Sequence, residues 1–373
     1  MGPQLLIDKS AIQALSSRES ALAHTYFYIV YAPTLFIEIL GDIRKRGDNA
    51  ERARKEVAKA NSKLMSISSC YTCHYQIAIE AELSGNIVPM DGRPLKLGGQ
   101  PFIAEDGKRG VFFEEEPERA AHRRWERGEF IEAERHLSER WRQSTKNIDL
   151  NLWTRDSADL PKASSISEAR ELALQIARDA RRQEGNLHFL LSAAHYDEAH
   201  REQLVQRWIR KGMPDIEGHA PYVFFCLVAF LSFYICIANS LVGTRATNLV
   251  DLEYVLYLPF AKYFTSGDKF HRDFVPHFMN KDQNFIHAVD LKADLRRISD
   301  YFESMDEEAR KAYYRENGPY PPNLADSLIN DAWVKHAKPR DTHRHIEITP
   351  KLNDKLMEHF KPMLDAIRKR RPK

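Results

Sequence analysis

An α/β fold built on a largely parallel sheet follows from three features of the sequence. Short runs of β-forming residues alternate with helical patterns, as in LLI, FYIVYA, KYFTS and NFIHAVDL. Two of the runs lead into an aspartate, Asp8 and Asp268. In a parallel sheet covered by helices, ligands gather outside the carboxyl ends of the strands, where the chain order reverses. Aspartates just past strand ends lie on that rim.

The elements are expected in this order. Leu5 to Ile7 form a short buried strand, and Lys9 to Ser20 a helix with Ile12 and Leu15 on one face. Phe27 to Ala32 form a second strand. Pro33 and Thr34 open a helix, since proline suits a first helical turn. That helix holds Glu38 among Leu35, Phe36, Ile39 and Leu40. Residues 48–69 are a charged helical stretch. Residues 85–117 are rich in Gly and Pro and read as loops with one or two hairpins. Residues 117–142 and 166–212 are helical and charged. Residues 221–292 return to buried α/β character, with Asp251 opening a helical pattern, a strand at KYFTS and another over 284–291. Residues 292–373 are helix and loop, interrupted by GPYPPN.

Composition narrows the class. Hydrophobic residues make up 43% of the 373-residue chain and charged residues 29%, the profile of a soluble globular protein. The net charge of +2 names no nucleic-acid partner by itself. Local charge is stronger: seven arginines lie between 118 and 142, and the chain ends in AIRKRRPK. Such runs are more often solvated helix faces than binding patches. Four cysteines are too few for a disulfide framework, and the N-terminus shows no signal peptide, so a cytoplasmic location is expected. Residues 222–242 carry no charge over a span that could cross a bilayer. A central helix buried on all sides explains them better, because Asp251 follows closely and must pack near Asp8. Membrane attachment is therefore not expected.

The acids carry the chemistry. A carboxylate in an apolar setting is unfavourable unless paired, protonated or bound to a cation. Asp8, Glu38, Asp251 and Asp268 all stand in such settings, which points to a shared metal site. Plainer roles remain open for each. Asp8 and Asp251 also suit helix N-caps, Asp268 a turn beside Gly267, and Glu38 a partner for Arg44 or Lys45.

In LLIDKSAIQAL, APTLFIEIL, NLVDLEYVLYLPF and FTSGDK, the order and setting of the four acids resemble the PIN-domain nucleases. The resemblance covers residues 3–47 and 221–292. It implies a PIN-like core in two parts, 1–50 and 221–292. The mostly helical residues 51–220 are then an insertion, and 293–373 a helical C-terminal extension with a basic tail. It also implies a metal-dependent nuclease that prefers RNA to DNA, with toxin or defence effector as a role. Asp8, Glu38, Asp251 and Asp268 would hold Mg²⁺ or Mn²⁺, which prefer oxygen ligands. Ser10, Asn248 and Ser266 would support them by hydrogen bonding, and Lys269 would meet a phosphate. Glu253 competes for the third position but points away from Asp251 on a helix. The insertion would select substrate, bind a protein partner or join copies of the chain. The rival reading is an inactive PIN-like scaffold that binds its partner through the insertion.

Other motifs are weaker. Cys70-Tyr-Thr-Cys73-His74 matches a haem-attachment pattern, but no export signal accompanies it. No second ligand pair completes a zinc site there. His343 and His345 fit solvated loop residues. Trp125, Trp141 and Trp153 interleave with arginines and suit base stacking, though packing of inserted helices explains them more readily.

Overall fold

The computed structural model describes residues 2–42, 50–65, 69–103, 107–127 and 160–336, with the single residues 129, 134, 136 and 150. The sheet starts at β1 (Gln4–Ile7), where Leu5 and Leu6 are fully buried. Ser16 then breaks the expected single helix into α1 (Lys9–Ala14) and α2 (Ser17–Tyr26). The cause is a capping box: the Ser16 hydroxyl accepts from the Glu19 N–H, and the Glu19 carboxylate accepts from the Ser16 N–H. β2 (Tyr28–Tyr31) and α3 (Pro33–Asp42) follow as expected, with Pro33 in the first turn.

The charged stretch departs from expectation. It forms α4 (Ala50–Asn61), and then β3 (Ser69–Tyr71) pairs in parallel with β2. The segment expected to be wholly inserted therefore supplies one edge of the main sheet. Three residues, Ser-Cys-Tyr, were too short to announce a strand; pairing with Ile29, Val30 and Tyr31 makes it one. After α5 (Tyr75–Leu83), the Gly- and Pro-rich stretch holds one antiparallel hairpin, β4 (Gln100–Ile103) and β5 (Arg109–Phe112). α6 (Pro117–Glu126), α7 (Ile166–Arg178), α8 (Gln183–Ala193), α9 (Glu198–Arg210) and the short α10 (Ile216–His219) complete this region.

α11 (Pro221–Ala238) is the apolar segment. By length and composition it could cross a membrane, with mean hydropathy 2.2, yet 78% of it is buried inside the protein. That burial is consistent with a soluble protein. α7 packs along it, and Asn239 ties its end to the Pro161 carbonyl and the Ala163 N–H. α7 thus covers the core helix and does not stand apart from it; residues 1–336 form one unit. Phe230 is 1% exposed at the middle of α11. Phe230→Ala is expected to destabilise the fold by about 3–5 kcal/mol, read from urea unfolding; a loss within experimental error would mean that the helix is not the centre of the core.

The return to the sheet runs through α12 (Thr247–Val255), β6 (Tyr263–Ser266), α13 (Lys269–Phe274) and β7 (Asn284–His287). The strand expected over 284–291 ends at His287, where α14 (Ala288–Glu303) begins. α15 (Glu307–Asn317) and α16 (Leu328–His336) follow. The basic tail and His343 and His345 lie outside the described residues, as do Trp141 and Trp153.

Strand order is β3-β2-β1-β6-β7, and every pairing is parallel. The chain lays strands outward on one side of β1, then returns to build on the other. The order reverses between β1 and β6, so a crevice opens at their carboxyl ends.

Candidate active site

β1 ends at Ile7 and β6 at Ser266, side by side, with Ile7 in register with Thr265. Asp8 therefore emerges at the reversal point, next to Ser266 and the turn to Asp268. Asp8 is 3% exposed and caps α1: its Oδ1 accepts from the Ala11 N–H at 2.8 Å. Ser10 Oγ lies 2.9 Å from Oδ1 and 2.8 Å from Oδ2, and Ser266 Oγ donates to Oδ2 at 2.6 Å. Ser10 also accepts from the Gly267 N–H at 2.7 Å, joining the two strand ends. Ser10 and Ser266 thus both hydrogen-bond the Asp8 carboxylate.

The residue that sequence reasoning missed is His271. It is fully buried, with Nδ1 2.8 Å from Ser266 Oγ and 3.4 Å from Asp8 Oδ2. Its Nε2 is 2.8 Å from the main-chain carbonyl of Asp251. A carbonyl only accepts, so Nε2 carries a hydrogen. Ser266 has one hydrogen, given to Asp8, so Nδ1 donates as well and the ring is an imidazolium. Burial alone pushes the imidazole down. The Asp8 hydrogen bond and the charges of Asp251 and Asp8 outweigh it and raise the ring to about 9. The signal was present: His271 stands three residues after Asp268, which caps α13 by accepting from the Phe270 N–H at 2.7 Å. A histidine in the first turn of that helix points back to the rim.

Asp251 lies in the middle of α12, not at its start; Ala246 is the N-cap. No described group donates a hydrogen bond to its carboxylate, and part of the residue stays open to solvent. Burial raises it to about 7; the His271 charge opposes this, and the charges of Asp268, Glu38 and Asp8 add to it. Tyr254, three residues on and so on the same helix face, donates to Glu38 Oε2 at 2.6 Å. Glu38 is held above the usual carboxylate range by burial, against the Lys9 charge and the Tyr254 hydrogen bond. Lys9 donates to the Glu38 carbonyl at 3.3 Å and pairs with Asp42 at 2.9 Å. Arg44 and Lys45, the other cations considered for Glu38, lie outside the described residues.

Four acids from four elements therefore share one rim and feel one another's charge. Glu253 does not join them directly: it accepts from the Thr34 hydroxyl at 2.7 Å, and burial raises it to about 7. Asn248 is buried but spent on the loop before α12, donating to the Gly243 carbonyl. Lys269 is exposed at the first turn of α13. Arg245, which no motif pointed to, lies 3.6 Å from Asp268 and is largely exposed.

Among the described residues, no three His, Cys, Asp or Glu side chains are already spaced to hold a metal ion. The donor set nevertheless suits a hard cation in type. All four acids offer oxygen, and Mg²⁺ keeps several of its waters, so its carboxylates need not be packed together. Asp251 carries an unbonded carboxylate among like charges, which a cation would relieve.

The weaker motifs resolve into packing. Cys70 and Cys73 are free thiols, Cys70 lies in β3, and His74 caps α5. Trp125 is buried against Phe36 and donates to Glu134. Of the seven arginines, Arg119, Arg123, Arg124 and Arg127 pair with local glutamates; the other three lie outside the described residues.

No protein-family model, curated protein or solved structure matches the chain.

Proposed function

We propose that this protein is a metal-dependent nuclease of PIN-like type that hydrolyses phosphodiester bonds, RNA in preference to DNA. One observation carries the reading. Asp8, Glu38, Asp251 and Asp268, the acids on which the resemblance rests, converge at the strand-order reversal and load charge onto Asp251. Asp8, Glu38, Asp251 and Asp268 would hold Mg²⁺ or Mn²⁺, which supplies an activated water and neutralises charge on the phosphate.

The chain's own groups divide the remaining work. Ser10 and Ser266 hold both oxygens of Asp8 in place. Tyr254 orients Glu38. His271 locks α12 to the end of β6 and offsets part of the acid charge. Exposed Lys269 and Arg245 border the acids and offer point charges to a nucleic-acid backbone.

The scaffold reading keeps one observation in its favour: Asp8 and Asp268 each cap a helix, a structural use that needs no metal. A cleavage assay separates the two. Labelled single-stranded RNA, total tRNA, single-stranded DNA and duplex DNA are incubated with the protein in Mg²⁺, Mn²⁺ or EDTA. Metal-dependent cleavage of RNA, lost in Asp8→Asn/Asp251→Asn, is the expected result. Equal cleavage by both proteins would place the activity elsewhere, and cleavage by neither would favour the scaffold.

A further inference from the structure

A cavity of about 300 Å³ lies between α1, α3 and α4, at the lower end of the size range of ligand pockets. Ile12 and Gln13 of α1, Ile39 and Asp42 of α3, and Lys59 and Lys63 at the end of α4 line it. None of Asp8, Glu38, Asp251 and Asp268 does.

Lys63 gives the cavity its charge. The residue is buried, and its ammonium donates to the Ile12 carbonyl at 3.0 Å and the Gln13 carbonyl at 3.1 Å. Both carbonyls belong to the last turn of α1, where a cation is favoured. An ammonium has three hydrogens. Capping α1 uses two, and no described residue accepts the third. Lys59, one turn earlier, is exposed and pairs with no described acid. Burial pushes Lys63 below the ordinary lysine range, and the charges of Lys59 and Lys292 push it further, against that of Glu19. Like charges gathered at one cavity are relieved by an anion. Asp42 is the opposing charge on the wall, and Lys9 pairs with it at 2.9 Å. The exposed Gln13 adds an amide donor.

The cavity adjoins the acid rim. Ile12 is four residues past Asp8 on α1, and Asp42 four past Glu38 on α3, a rise of about 6 Å along each helix. Lys9 bridges the two walls, donating to the Glu38 carbonyl and pairing with Asp42. A phosphate in the cavity is therefore close enough to share a strand with one at the acids.

We propose that this cavity binds a phosphate group, with Lys63, Lys59 and Gln13 donating to its oxygens, and that the group is a backbone phosphate of an RNA strand. The strand assignment rests on the nuclease reading; phosphate binding by the cavity does not.

Binding is read on the full chain in EDTA, where metal-dependent cleavage does not intervene. Fluorescence anisotropy follows a labelled single-stranded oligouridylate over a range of salt concentrations. Lys59→Ala weakens binding about threefold or more and lowers the slope of log K against log salt by about 0.7, the loss of one phosphate contact on a single strand. Lys55→Ala changes neither, since Lys55 lies on the same helix, pairs with Glu51 at 2.8 Å and does not line the cavity. Lys59 is the residue to remove because it is exposed, whereas Lys63→Ala would also uncap α1. In a second arm, the phosphorus NMR line of inorganic phosphate broadens with wild type and less with Lys59→Ala. Equal effects of Lys59→Ala and Lys55→Ala overturn the proposal, as does a wild type that binds neither probe. Inorganic phosphate held through Lys59 without RNA overturns the strand assignment and gives the cavity to a free phosphate. RNA held through Lys59 but never cut in Mg²⁺ or Mn²⁺ supports the cavity and fails the nuclease reading alone.

Discussion

Asp251→Asn is expected to reduce metal-dependent cleavage by a factor of about 100 or more while making the metal-free protein more stable. The two effects share one cause. The Asp251 carboxylate is largely buried, accepts no hydrogen bond from the described residues and sits among the charges of Asp268, Glu38 and Asp8. Without a cation, its ionised form is a burden on the fold. The ordinary carboxyl value is 3.8, and burial raises the folded value to about 7. The folded state therefore binds the proton more tightly. That contribution to stability is complete below about pH 4 and is lost as pH rises through 7. Asparagine removes the dependence. Its stabilising effect should be absent in acid, appear as pH rises through this window, and reach on the order of a few kcal/mol at pH 8. Melting temperatures of metal-free protein from pH 4 to 8 measure it. Added Mg²⁺ provides the complement. Wild type gains about 2.7 kcal/mol when Mg²⁺ exceeds its dissociation constant a hundredfold, and the variant gains little. Equal responses of both proteins to Mg²⁺ would mean that Asp251 does not face the cation.

His271→Ala should act in the opposite sense, destabilising the fold by about 3–5 kcal/mol. It removes a buried cation and leaves Asp8 Oδ2 and the Asp251 carbonyl each short of a partner. It also empties a space lined by Tyr254, Phe264 and Phe270. The pH window differs from that of Asp251. The folded imidazole is raised from 6.5 to about 9. Its contribution is complete below about 6.5 and is lost as pH rises through 9. Wild-type melting temperature should therefore fall between pH 7 and 10, and the alanine variant should lack that part of the fall. A parallel decline in both proteins would mean that the buried ring is neutral. Cleavage should fall as well, because Asp8 and α12 lose their common brace.

The acids were legible because each stands where local pattern exposes it. Asp8 and Asp268 follow apolar β-forming runs, and Glu38 interrupts an apolar helix. The Asp8 cap was legible too, since a short acidic side chain before a helix satisfies the first free N–H groups. Asp268, expected as a turn residue, also caps a helix, and Asp251, expected to cap one, lies inside α12. His271 was not legible. Its role comes from Ser266 on a strand end and from a main-chain carbonyl on α12, and a carbonyl has no letter in the sequence. Asn248 shows the converse: its place beside the Asp251 motif suggested a part in the site, and the structure spends it on the preceding loop.

By itself the sequence determined the α/β alternation, the parallel sheet, the buried core helix and the place of Asp8 and Asp268 just past strand ends. These depend on periodicity, burial and strand-end position, which act over a few residues. Only the tertiary structure decided the strand order, the membership of β3, and the union of Asp8 and Asp268 with Asp251 and Glu38 on one rim. Those depend on pairing between segments more than 200 residues apart, Ile7 with Thr265 and Glu38 with Tyr254. Which distant segments meet is settled by the packing of the whole chain, because a four-residue strand carries too little side-chain pattern to select its neighbour.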